Sequence, residues 1–170
     1  MAFHAGTEAP HAKASQYVLR HLISSHLTTG FESMTTTYLG TCLCAAVALE
    51  VEGGIEAIIH CHCSKCRKAS GTAFATNGFI QARGLRITRG EQSIRTYESA
   101  PGRRRHFCGI CAAPLFSSNA SDPSRLRLRL GILDSEISER PISHNFVSSR
   151  ASWEDLDATL PRYEGHEPGR

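Results

Sequence analysis

Short segments of alternating apolar and polar residues make up most of the chain after residue 36. From Tyr38 to Glu52 the pattern predicts a strand, a knuckle turn and a second strand. Gly53-Gly54 then predicts a tight turn into another strand over 55–60. A hairpin is therefore expected to join the segments on either side of the two glycines.

Glycines separate further apolar stretches, which predict short strands over 78–81, 85–89 and 93–97. Between Arg125 and Leu130 arginines alternate with leucines, which predicts a half-buried strand whose arginines lie on a solvated face. One short helix is expected from Ser64 to Ser70, with Ser64 as its N-cap and Gly71 ending it. Many strands and little helix predict a mainly β fold.

Composition sets the size and class of the molecule. A chain of 170 residues with 41% hydrophobic content is long enough for one core and too short for two large domains. The net charge of +3 is modest and argues against a nucleic-acid partner. No segment reaches the roughly 20 apolar residues that span a bilayer, so no membrane partner and a cytoplasmic location are expected.

The first thirty-six residues differ in character from the rest. Up to Gly30 the only acid is Glu8, and four of the nine histidines fall in this stretch without close pairing. Arg20 is its only arginine, which is thin support for a transit peptide. We expect residues 1–36 to be a poorly ordered extension, with Met34 as the natural start, and residues 37–170 to form the domain.

The cysteines give the strongest chemical signal. All seven lie in three tight clusters: Cys42-x-Cys44, Cys61-x-Cys63-x-x-Cys66 and Cys108-x-x-Cys111. An odd number with spacings of one or two residues favours shared metals over disulfides. Four thiolates close a tetrahedral zinc site and three leave one position open, so seven predict two zinc ions, one structural and one reactive.

Spacing alone leaves the grouping of these clusters open, because the first cluster could join either of the other two. Histidines could also contribute a ligand or carry a proton. His60 and His62 flank Cys61, but on an alternating stretch they point away from it. His106 is a further candidate that could complete a site.

Several motifs together resemble the glutathione-dependent formaldehyde-activating enzyme family, also called the Gfa or centromere protein V family. The matching segments are 40–47, 61–71, 105–111, 131–134, 144–149 and 151–153. The resemblance implies an Mss4-like fold of folded antiparallel sheets with zinc knuckles and little helix. It also implies which cysteines act together: Cys42, Cys44, Cys108 and Cys111 on a structural zinc, and Cys61, Cys63 and Cys66 on a catalytic zinc.

Two departures from the family pattern fall at the knuckles. Ala45 and Ala112 stand where the family usually has glycine. The residue after a knuckle often takes a positive φ, where alanine costs on the order of 1 kcal/mol more than glycine. Either the turns adjust or the structural site is weaker.

An open zinc site held by three thiolates prefers a soft incoming ligand and keeps a bound thiol ionised. The reaction class expected from the resemblance is therefore carbon–sulfur lyase chemistry on a thiol adduct such as S-hydroxymethylglutathione. Arg67 and Lys68 directly follow the ligands and could receive a carboxylate of glutathione, or could only offset the thiolate charge.

The strongest alternative is a non-catalytic zinc module for nucleic-acid or protein partners, supported by the arginine clusters. The count of seven cysteines argues against it, because a structural module would normally complete both tetrads. A zinc deaminase lacks its His-x-Glu and Pro-Cys-x-x-Cys elements here. Methionine sulfoxide reductase B would need a reactive cysteine beyond the seven metal ligands.

Overall fold

The structure, a computed structural model, describes residues 36–156 and 159–169. The predicted extension over residues 1–36 lies outside this range apart from Thr36. The described residues form eleven strands and one α-helix. In chain order these are β1 (Thr37–Thr41), β2 (Ala48–Glu52), β3 (Ala57–Cys61), α1 (Ser64–Ser70), β4 (Ala75–Gln81), β5 (Leu85–Arg89), β6 (Ile94–Ala100), β7 (Arg103–Cys108), β8 (Pro114–Asn119), β9 (Asp122–Arg129), β10 (Pro141–Asn145) and β11 (Arg162–Tyr163).

The strands form two sheets. The small sheet has the order β1-β2-β5 and is antiparallel throughout. The large sheet has the order β11-β10-β3-β4-β9-β8-β7-β6. Its pairs are antiparallel from β3 to β6, whereas β10 pairs in parallel with both β3 and β11. The expected mainly β fold of antiparallel sheets is confirmed, with a short parallel edge added.

The predicted hairpin across Gly53-Gly54 is wrong, because β2 and β3 lie in different sheets. The turn itself is present, with φ values of 89° and 82° at the two glycines. However, β2 pairs with β1 along one edge and β5 along the other, which leaves no edge free for β3. The turn therefore carries the chain from the small sheet to the large one.

The main hydrophobic core combines residues of both sheets. Val47, Leu49 and Val51 are fully buried and pack in one cluster with Ile80 and Leu128 of the large sheet. Each such aliphatic side chain contributes roughly 1.5–3 kcal/mol when it is buried. The alternating leucines of β9, Leu126 and Leu128, thus direct one face of the large sheet into this core.

A second buried cluster contains the neighbours of these core residues along the same strands. Ile58 on β3 belongs to the main core, while Ile59 belongs to the second cluster. The second cluster comprises Ile59, Cys61, Cys66, Ala75 and Phe79. Because successive side chains of a strand point to opposite faces, the candidate chemistry of β3 and β4 lies on the face turned away from the main core.

Helix α1 spans the predicted residues, but its N-cap is Cys63 rather than Ser64. The Cys63 Sγ accepts a hydrogen bond from the Cys66 N–H at 3.4 Å. Gly71 ends the helix as predicted, in a left-handed conformation with φ of 67°. Among the described residues, no helix has the length and apolar content needed to cross a bilayer.

Candidate metal centres and a cationic cavity

The first cysteine group gathers Cys42, Cys44, Cys108 and Cys111, with all four Sγ atoms within 4.8 Å of one another. The Cys42 and Cys44 sulfurs are 3.6 Å apart, and those of Cys44 and Cys108 are 3.9 Å apart. Tetrahedral zinc with bonds of about 2.3 Å requires sulfurs about 3.8 Å apart, so this donor set fits the ion. The group connects the β1–β2 turn of the small sheet to the β7–β8 turn of the large one.

Both knuckles of this group keep the expected backbone conformation without glycine. Ala45 has a φ of 57° and Ala112 a φ of 61°. Backbone amides then point at the sulfurs: the Val47 N–H lies 3.2 Å from the Cys42 Sγ. The Ala113 N–H likewise donates to Cys111 and lowers the pKa of that thiol to about 6. The turns therefore stabilise thiolates even though alanine replaces glycine.

The second cysteine group holds Cys61, Cys63 and Cys66, and its Sγ atoms also lie within 4.8 Å of one another. Cys61 ends β3, Cys63 caps α1 and Cys66 lies in the first turn of α1. Hydrogen bonds from Cys61 and Cys63 lower the pKa of the Cys66 thiol, helped by the positive charges of Arg129 and Arg105. Three sulfurs in this geometry leave one corner of a tetrahedron without a protein sulfur.

A cavity of about 330 Å³ opens beside the three-cysteine group and touches all three of its members. Its apolar floor includes Ile59, Phe79 and Phe146. Six arginines also line it, and among the described residues around it Asp122 is the sole acid. The cationic side chains are Lys65, Arg103, Arg104, Arg105, Arg125, Arg127 and Arg129.

The arginines of β9 do not lie on a solvated face, contrary to the prediction. Leu126 and Leu128 are buried in the main core, as expected, so the arginines occupy the opposite face of the strand. That face forms one wall of the cavity. Arg129 is only 7% exposed, because β9 lies between β4 and β8 in the large sheet.

Two roles are open from the sequence for Arg67 and Lys68: receipt of a substrate carboxylate, or only an offset to the thiolate charge. Neither Arg67 nor Lys68 lines the cavity, whereas Lys65 from the same helix does. Successive residues of a helix point about 100° apart, so adjacency to a ligand in sequence does not give adjacency in space. Arg67 lies close enough to His62 for its charge to help lower the pKa of that imidazole.

The candidate histidines are not part of either cysteine group among the described residues. His62 is fully buried, and its Nε2 lies 2.9 Å from His144 Nδ1. Burial lowers the pKa of His62 to about 4. His60 bonds Thr76 through Nδ1 at 3.1 Å, and His106 stacks on Phe116. The pointing of His60 and His62 away from Cys61 is confirmed.

Sequence reasoning missed the residues that complete the cavity from distant parts of the chain. Asn77 and Phe79 come from β4, while Phe146 and His166 come from the C-terminal part. The available signal was the alternation of arginine with leucine in β9. It predicts that the arginines share one face of the strand, but not which residues of other elements pack against that face.

Comparisons with known proteins agree with this architecture. A family model described as glutathione-dependent formaldehyde-activating enzyme matches residues 37–149. A curated Halomonas elongata protein, provisionally named as such an enzyme, is 27% identical over 128 residues, covering 70% of this chain and 80% of that protein. A crystal structure of a Rhodobacter sphaeroides protein matches with a TM-score of 0.51 and 27% identity, covering 61% of this chain and 97% of that one. The chain belongs to the glutathione-dependent formaldehyde-activating enzyme family.

Proposed function

We propose that this protein is a zinc-dependent carbon–sulfur lyase that acts on a thiol adduct such as S-hydroxymethylglutathione. One observation carries the proposal: a group of three cysteine sulfurs, rather than four, opens onto a cation-lined cavity. Zinc bound by Cys61, Cys63 and Cys66 would supply a Lewis-acidic position that prefers sulfur and keeps a thiol ionised near neutral pH. A second zinc on the four-cysteine group would be structural.

The residues around the cavity fit the ligand chemistry of an anionic thiol. Glutathione carries carboxylates at both ends of its chain, and guanidinium groups bind carboxylates with paired hydrogen bonds. Arg103 and Arg127 face the cavity from β7 and β9 at a distance along the sheet from the sulfurs. Phe79 and Phe146 add apolar surface to the lining of the same cavity.

The location of the arginines favours a small-molecule ligand over the alternative of a nucleic-acid-binding module. Nucleic-acid backbones require basic side chains spread over an accessible surface. Here the cations line a concave cavity, and Arg129 is almost fully buried. A concave site with a buried arginine fits a compact anion better than the backbone of a duplex.

The Cys63→Ser variant tests the proposal most simply. Serine retains the helix N-cap, because its hydroxyl accepts the bond that the Cys63 sulfur accepts from the Cys66 N–H. The fold should therefore persist while metal binding at the open site is lost. NMR exchange spectroscopy on glutathione with formaldehyde should detect catalysed interconversion with the wild-type protein and none with the variant. Normal turnover by a folded Cys63→Ser protein would remove the basis of the proposal.

A further inference from the structure

Two arginines lie against the three-cysteine group, and each has a donor atom without an acceptor among the described residues. Arg105 is on β7 and Arg129 ends β9, so two different strands bring them to one place. Within the part of the chain that the structure describes, the Nη1 atoms of both are buried and have no hydrogen-bond partner. The Arg105 Nη2 lies 4.0 Å from the Cys66 Sγ. Both guanidinium groups therefore stand at the reactive end of the cavity.

The burial of Arg129 and the partial burial of Arg105 have an electrostatic cost, and their buried Nη1 donors find no acceptor among the described residues to offset it. Arginine is rarely buried without a partner, and a buried unpaired charge is strongly unfavourable. The ion pairs of the cavity arginines involve other residues: Arg104 with Glu98 at 3.5 Å, and Arg125 with Glu56 at 3.3 Å. The pair is thus suited to an incoming anion.

Formal charges indicate how much negative charge this place accepts. Zinc with three thiolates carries a net charge of −1, and the two guanidinium groups carry +2. One positive charge remains at the end of the cavity. A substrate group with a single negative charge close to the metal-binding sulfurs would neutralise it.

Building on the proposed function, we propose that Arg105 and Arg129 bind the anionic oxygen on the carbon that is bonded to the substrate's sulfur. The carboxylates of glutathione are separated from its sulfur by several covalent bonds. They suit the outer arginines, not a pair in contact with Cys66. An oxygen on the sulfur-bearing carbon is the anion that lies at the correct distance.

The two arginines would then stabilise the charge that develops in the reaction. In the breakdown direction, the adduct's hydroxyl proton leaves to water and an oxygen electron pair forms the C=O bond. The C–S bond breaks, and its electron pair stays on sulfur as a thiolate. In the reverse direction, the thiolate pair forms the C–S bond, the carbonyl π pair moves onto oxygen, and oxygen takes a proton from water. Donors placed beside that oxygen accelerate both directions.

Mercaptoacetate and 2-mercaptoethanol provide a direct binding test. Mercaptoacetate has a carboxylate on its sulfur-bearing carbon, whereas 2-mercaptoethanol has a neutral hydroxymethyl group there. Isothermal titration calorimetry on the zinc-loaded full chain should give tighter binding of mercaptoacetate, by about tenfold or more. Arg105→Gln should abolish this preference, while Arg103→Gln, two residues earlier on β7, should keep it.

A kinetic measurement separates a direct role from a structural one. Arg105→Ala should lower the glutathione–formaldehyde exchange rate by about a hundredfold. Added guanidinium ion should restore part of that rate in Arg105→Ala and leave the wild type unchanged. Arg129→Gln should also abolish the preference for mercaptoacetate, provided that this variant folds. Arg105 is only half-buried, so Arg105→Gln is the variant on which the test depends.

The outcomes distinguish this inference from the proposed function. If both thiols bind but mercaptoacetate shows no preference, or if the preference survives Arg105→Gln, the anion site is disproved and the lyase proposal stands. If neither thiol binds the zinc-loaded wild type, the proposed function fails and the inference fails with it.

Discussion

Alanine follows the second cysteine of each knuckle in a conformation that usually requires glycine. The φ values of 57° at Ala45 and 61° at Ala112 place both residues in the left-handed region. The sequence predicted this positive φ, because the amides of a knuckle must point at the sulfurs. The backbone amides still contact the cysteine sulfurs, so the free-energy cost of alanine at these two positions is backbone strain.

We predict that Ala45→Gly and Ala112→Gly each raise the free energy of unfolding by about 0.5–1 kcal/mol. Relief of the left-handed strain exceeds the extra entropy that glycine gives the unfolded chain. Ala46 lies beside Ala45 and does not have a positive φ, so Ala46→Gly should lower stability and serves as the control. Urea unfolding measures all three variants. A loss of stability in Ala45→Gly equal to that of Ala46→Gly would contradict the strain.

Predictions for single elements succeeded where local chemistry decides the structure. Helix α1 is recovered at both ends, and β5 spans the predicted residues. The prediction failed for the partner of β2, because a glycine turn specifies that the chain reverses and not which strand pairs next. β2 pairs with β5 because side chains of both strands pack in the same core. This contact joins residues far apart in the chain, so the local sequence does not specify it. The N-cap of α1 is Cys63 and not the predicted Ser64, because the Cys63 sulfur accepts the hydrogen bond from the Cys66 N–H.

A pH-dependent hydrogen bond joins strand β1 to the segment before β10. The Tyr38 hydroxyl donates to Glu139 at 2.7 Å. Burial, together with the adjacent carboxylate, raises the pKa of Tyr38 to about 12. An unfolded tyrosine ionises near pH 10, so between about pH 10 and 12 the folded state holds the proton and the unfolded state does not. Stability from this contact is complete below pH 10 and falls as pH rises through that window.

We predict that Tyr38→Phe lowers the free energy of unfolding by about 1–2 kcal/mol at pH 8, because Glu139 loses a buried donor. The variant should also show a flatter decline in melting temperature from pH 10 to 12 than the wild type. Tyr97, which is 62% exposed, provides the matched control as Tyr97→Phe. Parallel alkaline declines in Tyr38→Phe and the wild type would show that this hydroxyl is not the titrating group.

For the whole molecule, the sequence predicted the mainly β class and the family, and the family resemblance implied the division of the cysteines into the two groups that the structure brings together, but neither predicted the cavity. The walls of the cavity include residues of β3, β4, β9, β8 and β7, which become neighbours only when the large sheet forms. No local pattern states that Arg105 and Arg129 meet at Cys66. Arg67 and Lys68 follow Cys66 in sequence, which made a substrate contact one of their two possible roles, but neither residue lines the cavity.

The four-cysteine group connects the two sheets, so a metal bound there should matter more for stability than a metal bound at the three-cysteine group. We predict that Cys111→Ser loses one zinc and several kcal/mol of stability, because the binding energy of a structural zinc is folding energy. Cys63→Ser should also lose one zinc but melt close to the wild type. Thermal melting with metal quantitation compares the two variants. Equal destabilisation would contradict separate structural and reactive roles.

The open position proposed at the three-cysteine group is tested most directly by anomalous diffraction at the zinc edge on crystals grown with glutathione. The expected map contains two zinc peaks per chain. One should be bound by Cys42, Cys44, Cys108 and Cys111, and the other by Cys61, Cys63, Cys66 and the sulfur of glutathione. A fourth protein ligand on the second zinc, or no second peak, would contradict the account.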